Sequence, residues 1–168
     1  LARSRRSALL LGPRQTGKST LMRSLHPDLE INLAHETTLL AFARNPSELE
    51  ERLRALPKGS TTVFLDEVQR LPSVLNTLQT ILDKPDNTVR FLLTGSSARK
   101  LRRGVGNLLP GRIHTWRLGT IVAAEADYRL DTGRALQLGT LPAIVADPDA
   151  DEDHQKTLRS YAATYLRE

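Results

Sequence analysis

An apolar run, Ser7–Leu11, passes directly into Gly12-Pro13-Arg14-Gln15-Thr16-Gly17-Lys18-Ser19, and a helical pattern follows from Lys18 to Leu25. The eight residues fit G-x-x-x-x-G-K-[ST] between a strand and a helix, the context that motif needs. The spacing has a physical reason. Glycine at either end lets the backbone approach phosphate oxygens where a side chain would clash. The loop's N–H groups point inward, and the helix N-terminus adds partial positive charge. Lys18 supplies a compact cation for the β- and γ-phosphates, and the Ser19 hydroxyl is a hard ligand for Mg²⁺. The alternative is a glycine-containing strand-to-helix turn with no ligand; the flanking elements argue against it. Gly12, Pro13, Arg14, Gln15, Thr16, Gly17, Lys18, Ser19 and Thr20 are therefore the expected nucleotide-binding stretch, with ATP and Mg²⁺ as its ligands.

Two more apolar runs end in polar residues. Val63-Phe-Leu65 leads into Asp66-Glu67. A strand-end acid beside a phosphate loop can hold Mg²⁺ through a water, which suits Asp66. Glu67 is then placed to act as general base or to orient the attacking water. By themselves such acids often cap a following turn; the phosphate loop upstream makes them the second half of one site. Val89–Thr94 ends in Gly95-Ser96-Ser97. A hydroxyl from Thr94 or Ser96 is positioned to meet the γ-phosphate or the lytic water, against the alternative of a plain Thr/Gly/Ser turn.

The remaining pattern sets the fold class. Glu30–Leu33 reads as a weak strand, and Ser47-Glu-Leu-Glu50 reads as a capping box opening a helix with Leu49, Leu53 and Leu56 on one face. Pro57-Lys58-Gly59 closes that helix. Val74, Leu75, Leu78 and Leu82 give another helix, and Ile113–Leu118 a further strand. His26-Pro27 stops the first helix, because the residue before proline avoids helical angles. Alternating strands and helices imply crossover connections: an α/β, P-loop NTPase fold with a central, mostly parallel sheet and helices on both faces. Ligands in such sheets bind at the carboxyl ends of the strands. After a loop rich in Asp and Pro, Leu158, Tyr161, Ala162, Tyr165 and Leu166 share one helix face. The expected division is an ATPase core over 1–146 and the start of a helical segment over 147–168. The sequence opens on Leu1 and stops inside that helical pattern, so further functional parts are expected outside it. No internal repeat or low-complexity segment occurs.

Composition excludes several classes. There is no cysteine, so no disulfide framework or thiolate metal site. No apolar stretch nears the ~20 residues of a membrane helix, and Leu9-Leu10-Leu11 is too short for a secretory signal core; a cytoplasmic protein is expected. His26, His35, His114 and His154 lie in separate segments without ligand spacing and are expected in loops or on the surface. The net charge is +5, and its distribution says more than its sum. Arg3, Arg5, Arg6, Arg14, Lys18 and Arg23 lie in one acid-free segment. Arg99, Lys100, Arg102, Arg103, Arg112 and Arg117 lie in a second. Asp147, Asp149, Asp151, Glu152 and Asp153 form an acidic stretch. The basic segments suit a polyphosphate, a nucleic acid or an acidic partner, and equally a solvated face.

Gly-Pro-Arg-Gln-Thr-Gly-Lys-Ser-Thr20, Phe64-Leu-Asp-Glu-Val-Gln69, Phe91-Leu-Leu-Thr-Gly-Ser-Ser97, Leu109-Pro-Gly-Arg112, Leu141-Pro-Ala-Ile-Val145 and Tyr161-Ala-Ala-Thr-Tyr-Leu166 occur in that order. Together they resemble the prokaryotic AAA_14-type ATPase domain over nearly the whole chain. The resemblance implies a RecA/AAA-like core in the branch with a catalytic glutamate, a polar sensor after Asp66-Glu67, and a C-terminal domain beginning about where this sequence stops. It departs from the family at Arg117–Glu125, where a proline-containing stretch is expected. It also makes Arg112 a candidate catalytic residue, lent by a neighbouring copy in a homo-oligomer to stabilise charge on a transferring phosphoryl group; the alternative is a surface arginine paired with an acid. The expected function is Mg-ATP hydrolysis to ADP and phosphate, driving a conformational switch or the remodelling of a partner. Two other functions fit the same residues: a nucleotide-binding switch or interaction module with negligible turnover, and a nucleic-acid-associated ATPase.

Overall fold

The computed structural model describes residues 4, 6–57, 59, 61–96, 101, 109–147 and 150–165. Arg3, Arg5, Lys58, Ser97, Arg99, Lys100, Arg102, Arg103, Asp149 and Leu166, all named above, lie outside them. The chain packs as two units: Leu1–Gly12 with Lys18–Leu118, and Pro13–Gly17 with Gly119–Glu168.

In the first unit, five strands form one parallel sheet: β1 (Ser7–Leu11), β2 (Leu29–Asn32), β3 (Thr61–Asp66), β4 (Val89–Gly95) and β5 (Ile113–Arg117), in the order β2-β3-β4-β1-β5. The helices are α1 (Lys18–Arg23), α2 (Glu36–Arg44), α3 (Glu48–Arg54) and α4 (Val74–Leu82). Strand side chains alternate in direction, and here both directions are buried, which is why β1 is a continuous apolar run rather than an alternating one. Leu9, Val63, Leu65, Phe91 and Leu93 face a core shared with Phe42 of α2, Leu49 of α3 and Leu75 and Leu78 of α4. Ala8, Leu10, Phe64 and Leu92 face the other side, where Met22 of α1 packs. Helices thus cover both faces, as the alternation of elements implies.

The register aligns the strand ends. Leu65 pairs with Leu93, and Leu10 and Leu11 pair with Thr94 and Gly95. Because every strand runs the same way, Gly12, Asp66 and Thr94 arrive at one edge.

Three local expectations are corrected, and one helix was not expected. The first helix ends at Arg23, not Leu25; Leu25 and His26 donate to carbonyls only three residues back, and His26 takes φ 50° ahead of Pro27. The second strand is Leu29–Asn32. The capping box at Ser47 does not form, because Ser47 has helical angles and its side chain caps nothing. Asn45 does that work: its Oδ1 accepts from the Ser47 N–H at 3.0 Å, and its Nδ2 donates to Glu51 at 3.2 Å. Helix α2 has no counterpart in the sequence reading. Thr37 and Thr38 weaken its first turn and His35 provides no side-chain cap, so its one buried side chain, Phe42, carries it.

The second unit contains α5 (Thr132–Leu138), α6 (Pro142–Ala146) and α7 (Asp151–Tyr165). Only α7 was legible in the sequence. Leu138, Leu141 and Ile144 form its core with Leu158 against them. Asp131 caps α5 by accepting from the Arg134 N–H at 2.6 Å. The Arg134 guanidinium then binds Asp151 Oδ1 at 2.8 Å and the carbonyls of Ile144 and Asp147 at 3.0 and 3.1 Å. His154 corrects another expectation: it is buried, with Nε2 2.7 Å from the Asp147 carbonyl. After Arg117, Ile121 N–H donates to the Thr140 carbonyl, and Ala123–Ala126 form a 3-10 turn. Among the described residues no helix is long and apolar enough to cross a membrane.

Candidate nucleotide site

Lys18, Asp66 and Thr94 are among the few polar residues buried in the first unit, at 5, 5 and 0% exposure. Burying a charge is costly unless it is paired or serves a ligand, and these groups gather at the strand ends rather than in the core. Ser19, in the first turn of α1, donates from Oγ to Asp66 Oδ1 at 2.8 Å. The Thr94 hydroxyl, from β4, donates to the same oxygen. Thr94 Oγ1 in turn accepts from the Glu67 N–H at 3.2 Å. One carboxylate therefore ties α1, β3 and β4 together.

On the other side of Asp66, Arg23 Nη2 lies 3.9 Å from Oδ2 and 2.7 Å from Glu30 Oε1. The Glu30 hydrogen bond raises the Arg23 pKa above its ordinary value; partial burial opposes this, and the charges of Glu30 and Asp66 add to it.

Glu67 has φ 60° and ψ 44°, the left-handed region. For a non-glycine residue that conformation costs on the order of 1 kcal/mol and persists only where neighbours impose it. Its N–H is held by Thr94, and its carbonyl accepts from Arg70 N–H at 2.9 Å. The carboxylate accepts from Gln69 Nε2. Gln69 was not singled out from the sequence. The available clue was a lone amide between Val68 and the charged Arg70, two residues after the acidic pair. Gln69 also reaches Ser96: Nε2 is 3.0 Å from Ser96 Oγ, and Oε1 accepts from Ser96 N–H at 3.3 Å.

Gly12 closes β1. A Cβ there would lie 2.0 Å from the Leu118 carbonyl oxygen, so only glycine fits between β1 and the end of β5. In the second unit, Pro13–Gly17 has its own bracing. Thr16 Oγ1 donates to the Pro13 carbonyl at 2.9 Å, Gln15 and Gly17 take φ 62° and 85°, and Tyr161 of α7 donates to the Arg14 carbonyl at 3.4 Å. Gly17 is a position where glycine's conformational freedom is required.

The donor set at Ser19 and Asp66 is a hydroxyl and a carboxylate, both hard oxygen ligands. That chemistry suits Mg²⁺, which takes one or two protein groups and completes its shell with water and phosphate oxygens. No cluster of three or more His, Cys, Asp or Glu that could hold a metal occurs among the described residues.

Arg112 forms a forked pair with Asp83 at the end of α4: Nε donates to Oδ1, and Nη2 to Oδ2 at 3.0 Å. Arg112 therefore stands in the arrangement that sequence reasoning gave as its alternative.

A parallel sheet with this strand order, a glycine loop between β1 and α1, and an acid pair ending β3 define a P-loop NTPase fold. Residues 4–126 match the AAA_14 family, whose members are described as AAA domains. The chain belongs to this family, and membership points to nucleotide binding. It is also 30% identical over 161 residues to two uncharacterized proteins, Mb2031c of Mycobacterium bovis and Rv2008c of Mycobacterium tuberculosis. These alignments cover 94% of this chain and 34% of each relative, so the chain spans about a third of their length.

Proposed function

We propose that the chain binds Mg-ATP and hydrolyses it to ADP and phosphate, using the turnover to switch its own conformation or remodel a partner. The observation that carries this is the sharing of Asp66 Oδ1 by Ser19 and Thr94, with Glu67 held in a strained backbone beside it. Any buried carboxylate needs such donors; what favours a functional one is that both come from the strand-end edge beside the Gly12–Ser19 motif, with a left-handed glutamate next in sequence.

In this proposal the backbone of Gly12–Thr20 cradles the phosphates, and Lys18 faces the β- and γ-phosphates. Ser19 and Asp66 hold Mg²⁺, which when bound neutralises charge on the phosphate oxygens. Glu67 takes the proton of the attacking water or orients it. Thr94 fixes Asp66 and the Glu67 backbone, and Ser96 presents its hydroxyl at the end of β4. Arg112, committed to Asp83, is assigned to that ion pair rather than to the phosphoryl group.

The second function, a nucleotide-binding switch with negligible turnover, would follow if the Gln69 contact kept the Glu67 carboxylate from the attacking water rather than aiming it. Phosphate release by the intact protein with and without Mg²⁺ separates the two. Mg²⁺-dependent release that Glu67→Gln slows by about 100-fold or more supports hydrolysis. Tight ATP binding with no release supports the switch.

A further inference from the structure

We infer that Gln69 is a positioning residue for hydrolysis, holding the Glu67 carboxylate in register with Ser96 at the end of β4; this rests on the assignment of Glu67 as general base or water-orienting group. Gln69 is 9% exposed, and its side-chain amide is hydrogen-bonded to Glu67 and, twice, to Ser96. Their polarity fixes which way the amide points. Ser96 N–H can only donate, so the atom facing it at 3.3 Å must be Oε1. The –NH₂ group is then turned to Glu67 Oε2 and to Ser96 Oγ at 3.0 Å. A flipped amide would set oxygen against carboxylate and N–H against N–H. The orientation is therefore over-determined, and it presents both amide protons where the carboxylate and the hydroxyl need a donor.

Three further features make room for this contact. Gly95 leaves space for Gln69: a Cβ there would stand 3.1 Å from Gln69 Oε1. The 3-10 turn Val68–Arg70 brings position 69 back towards position 67. The left-handed Glu67 aims its carboxylate into that turn rather than along β3. Ser96 Oγ accepts from Gln69, so its own proton is left to donate, in the sense a phosphate oxygen would accept. Gln69 thereby couples the base that follows β3 to the polar end of β4: displacement of Ser96 by a γ-phosphate would move the amide that sets the angle of Glu67.

A second variant separates positioning from space-filling. Gln69→Glu keeps the shape and the acceptor for Ser96 N–H, but replaces the donors with a carboxylate facing Glu67. In the intact protein, Gln69→Ala and Gln69→Glu are both expected to lower kcat about 100-fold, with Mg-ATP and ADP affinities by calorimetry unchanged. In a Glu67→Gln background, Gln69→Ala should slow the residual turnover no further, because it acts through Glu67. Near wild-type kcat for Gln69→Glu, an additive loss in the Glu67→Gln background, or affinity falling in step with kcat would each overturn the inference. Full turnover by Glu67→Gln alone would instead remove the base assignment itself, and the positioning role with it.

Discussion

Ser19 Oγ and Asp66 Oδ1 lie 2.8 Å apart although 47 residues separate them in sequence. The contact follows from topology: α1 follows β1 after the glycine loop, β3 ends two strands away from β1, and all the strands point to the same edge. The Thr94 hydroxyl comes from β4, the strand between them, and completes the link. A hydroxyl and a carboxylate brought together this way share a proton-mediated contact in the free protein and offer a pair of hard ligands to a divalent cation.

Lys18 is the buried cation of this edge. If Lys18 faces the phosphates as proposed, Lys18→Ala would remove a charged hydrogen-bond donor to them, with a loss of about 2 kcal/mol or more, roughly thirty-fold in affinity. Calorimetry with Mg-ATP should show the affinity lowered by at least that factor. Unchanged affinity would rule out the phosphate-loop assignment.

Glu67→Gln preserves the side chain's shape but not its ability to take a proton. ATP affinity should be kept while phosphate release slows by about 10²- to 10⁴-fold. Loss of ATP binding in a folded Glu67→Gln protein would make Glu67 a structural residue of the edge.

Gly12→Ala tests the packing that closes the first strand. The new Cβ would meet the Leu118 carbonyl oxygen at 2.0 Å, and that backbone is held by the 2.8 Å bond from Leu118 N–H to the Leu11 carbonyl. Neither atom is the end of a flexible side chain, so about 1–3 kcal/mol of strain is expected. For a chain of this size each kcal/mol shifts the melting midpoint by roughly 2–4 °C. A melting midpoint equal to that of the parent would show that β1 and the end of β5 are not in close contact.

The centre of the sheet was readable because β1, β3 and β4 each carry an apolar run buried on both faces, which needs no tertiary information to recognise; β2 is mixed and β5 largely exposed, and their signal is weaker. The acid pair and the Thr94 hydroxyl were readable because they close such runs, and Ser19 because it ends the Gly12–Ser19 motif. What was hidden depends on geometry that sequence does not record. Gln69 is one amide in a charged segment until a 3-10 turn and a left-handed Glu67 bring it against Ser96. Helix α2 shows two threonines and an uncapped start, and Phe42 reveals itself only against the sheet. Ser47 and Glu50 have the letters of a capping box, yet Asn45, two residues earlier, wins the exposed N–H of Ser47. His154 resembled a surface residue because the carbonyl that holds it belongs to a different turn of chain.

Arg112 and Asp83 give a prediction whose sign can be worked out from their titration. The Arg112 hydrogen bond holds the Asp83 carboxyl below its ordinary value, with slight desolvation opposing and the guanidinium charge reinforcing. The Arg112 pKa is raised by the same bond. A depressed carboxyl means that the unfolded chain binds more protons at low pH, so the pair's contribution is present above the ordinary carboxylate range and is lost as pH falls through it. The raised arginine loses nothing until strongly alkaline pH. Both groups are solvent-accessible, so the stabilisation is small and weakens with salt. Asp83→Asn and Arg112→Ala should therefore each remove the same slight stabilisation at neutral pH, and with it the loss on acidification, and the double variant should remove no more than either alone. Denaturant titrations between neutral pH and pH 3 measure this directly. Turnover of Arg112→Ala should match the parent. A loss of about a thousandfold at unchanged ATP affinity, rescued by mixing with Lys18→Ala protein, would instead assign Arg112 to the site of a neighbouring copy. That outcome would also require the arginine to leave Asp83, and Asp83→Asn, by releasing it, should then raise turnover rather than leave it alone.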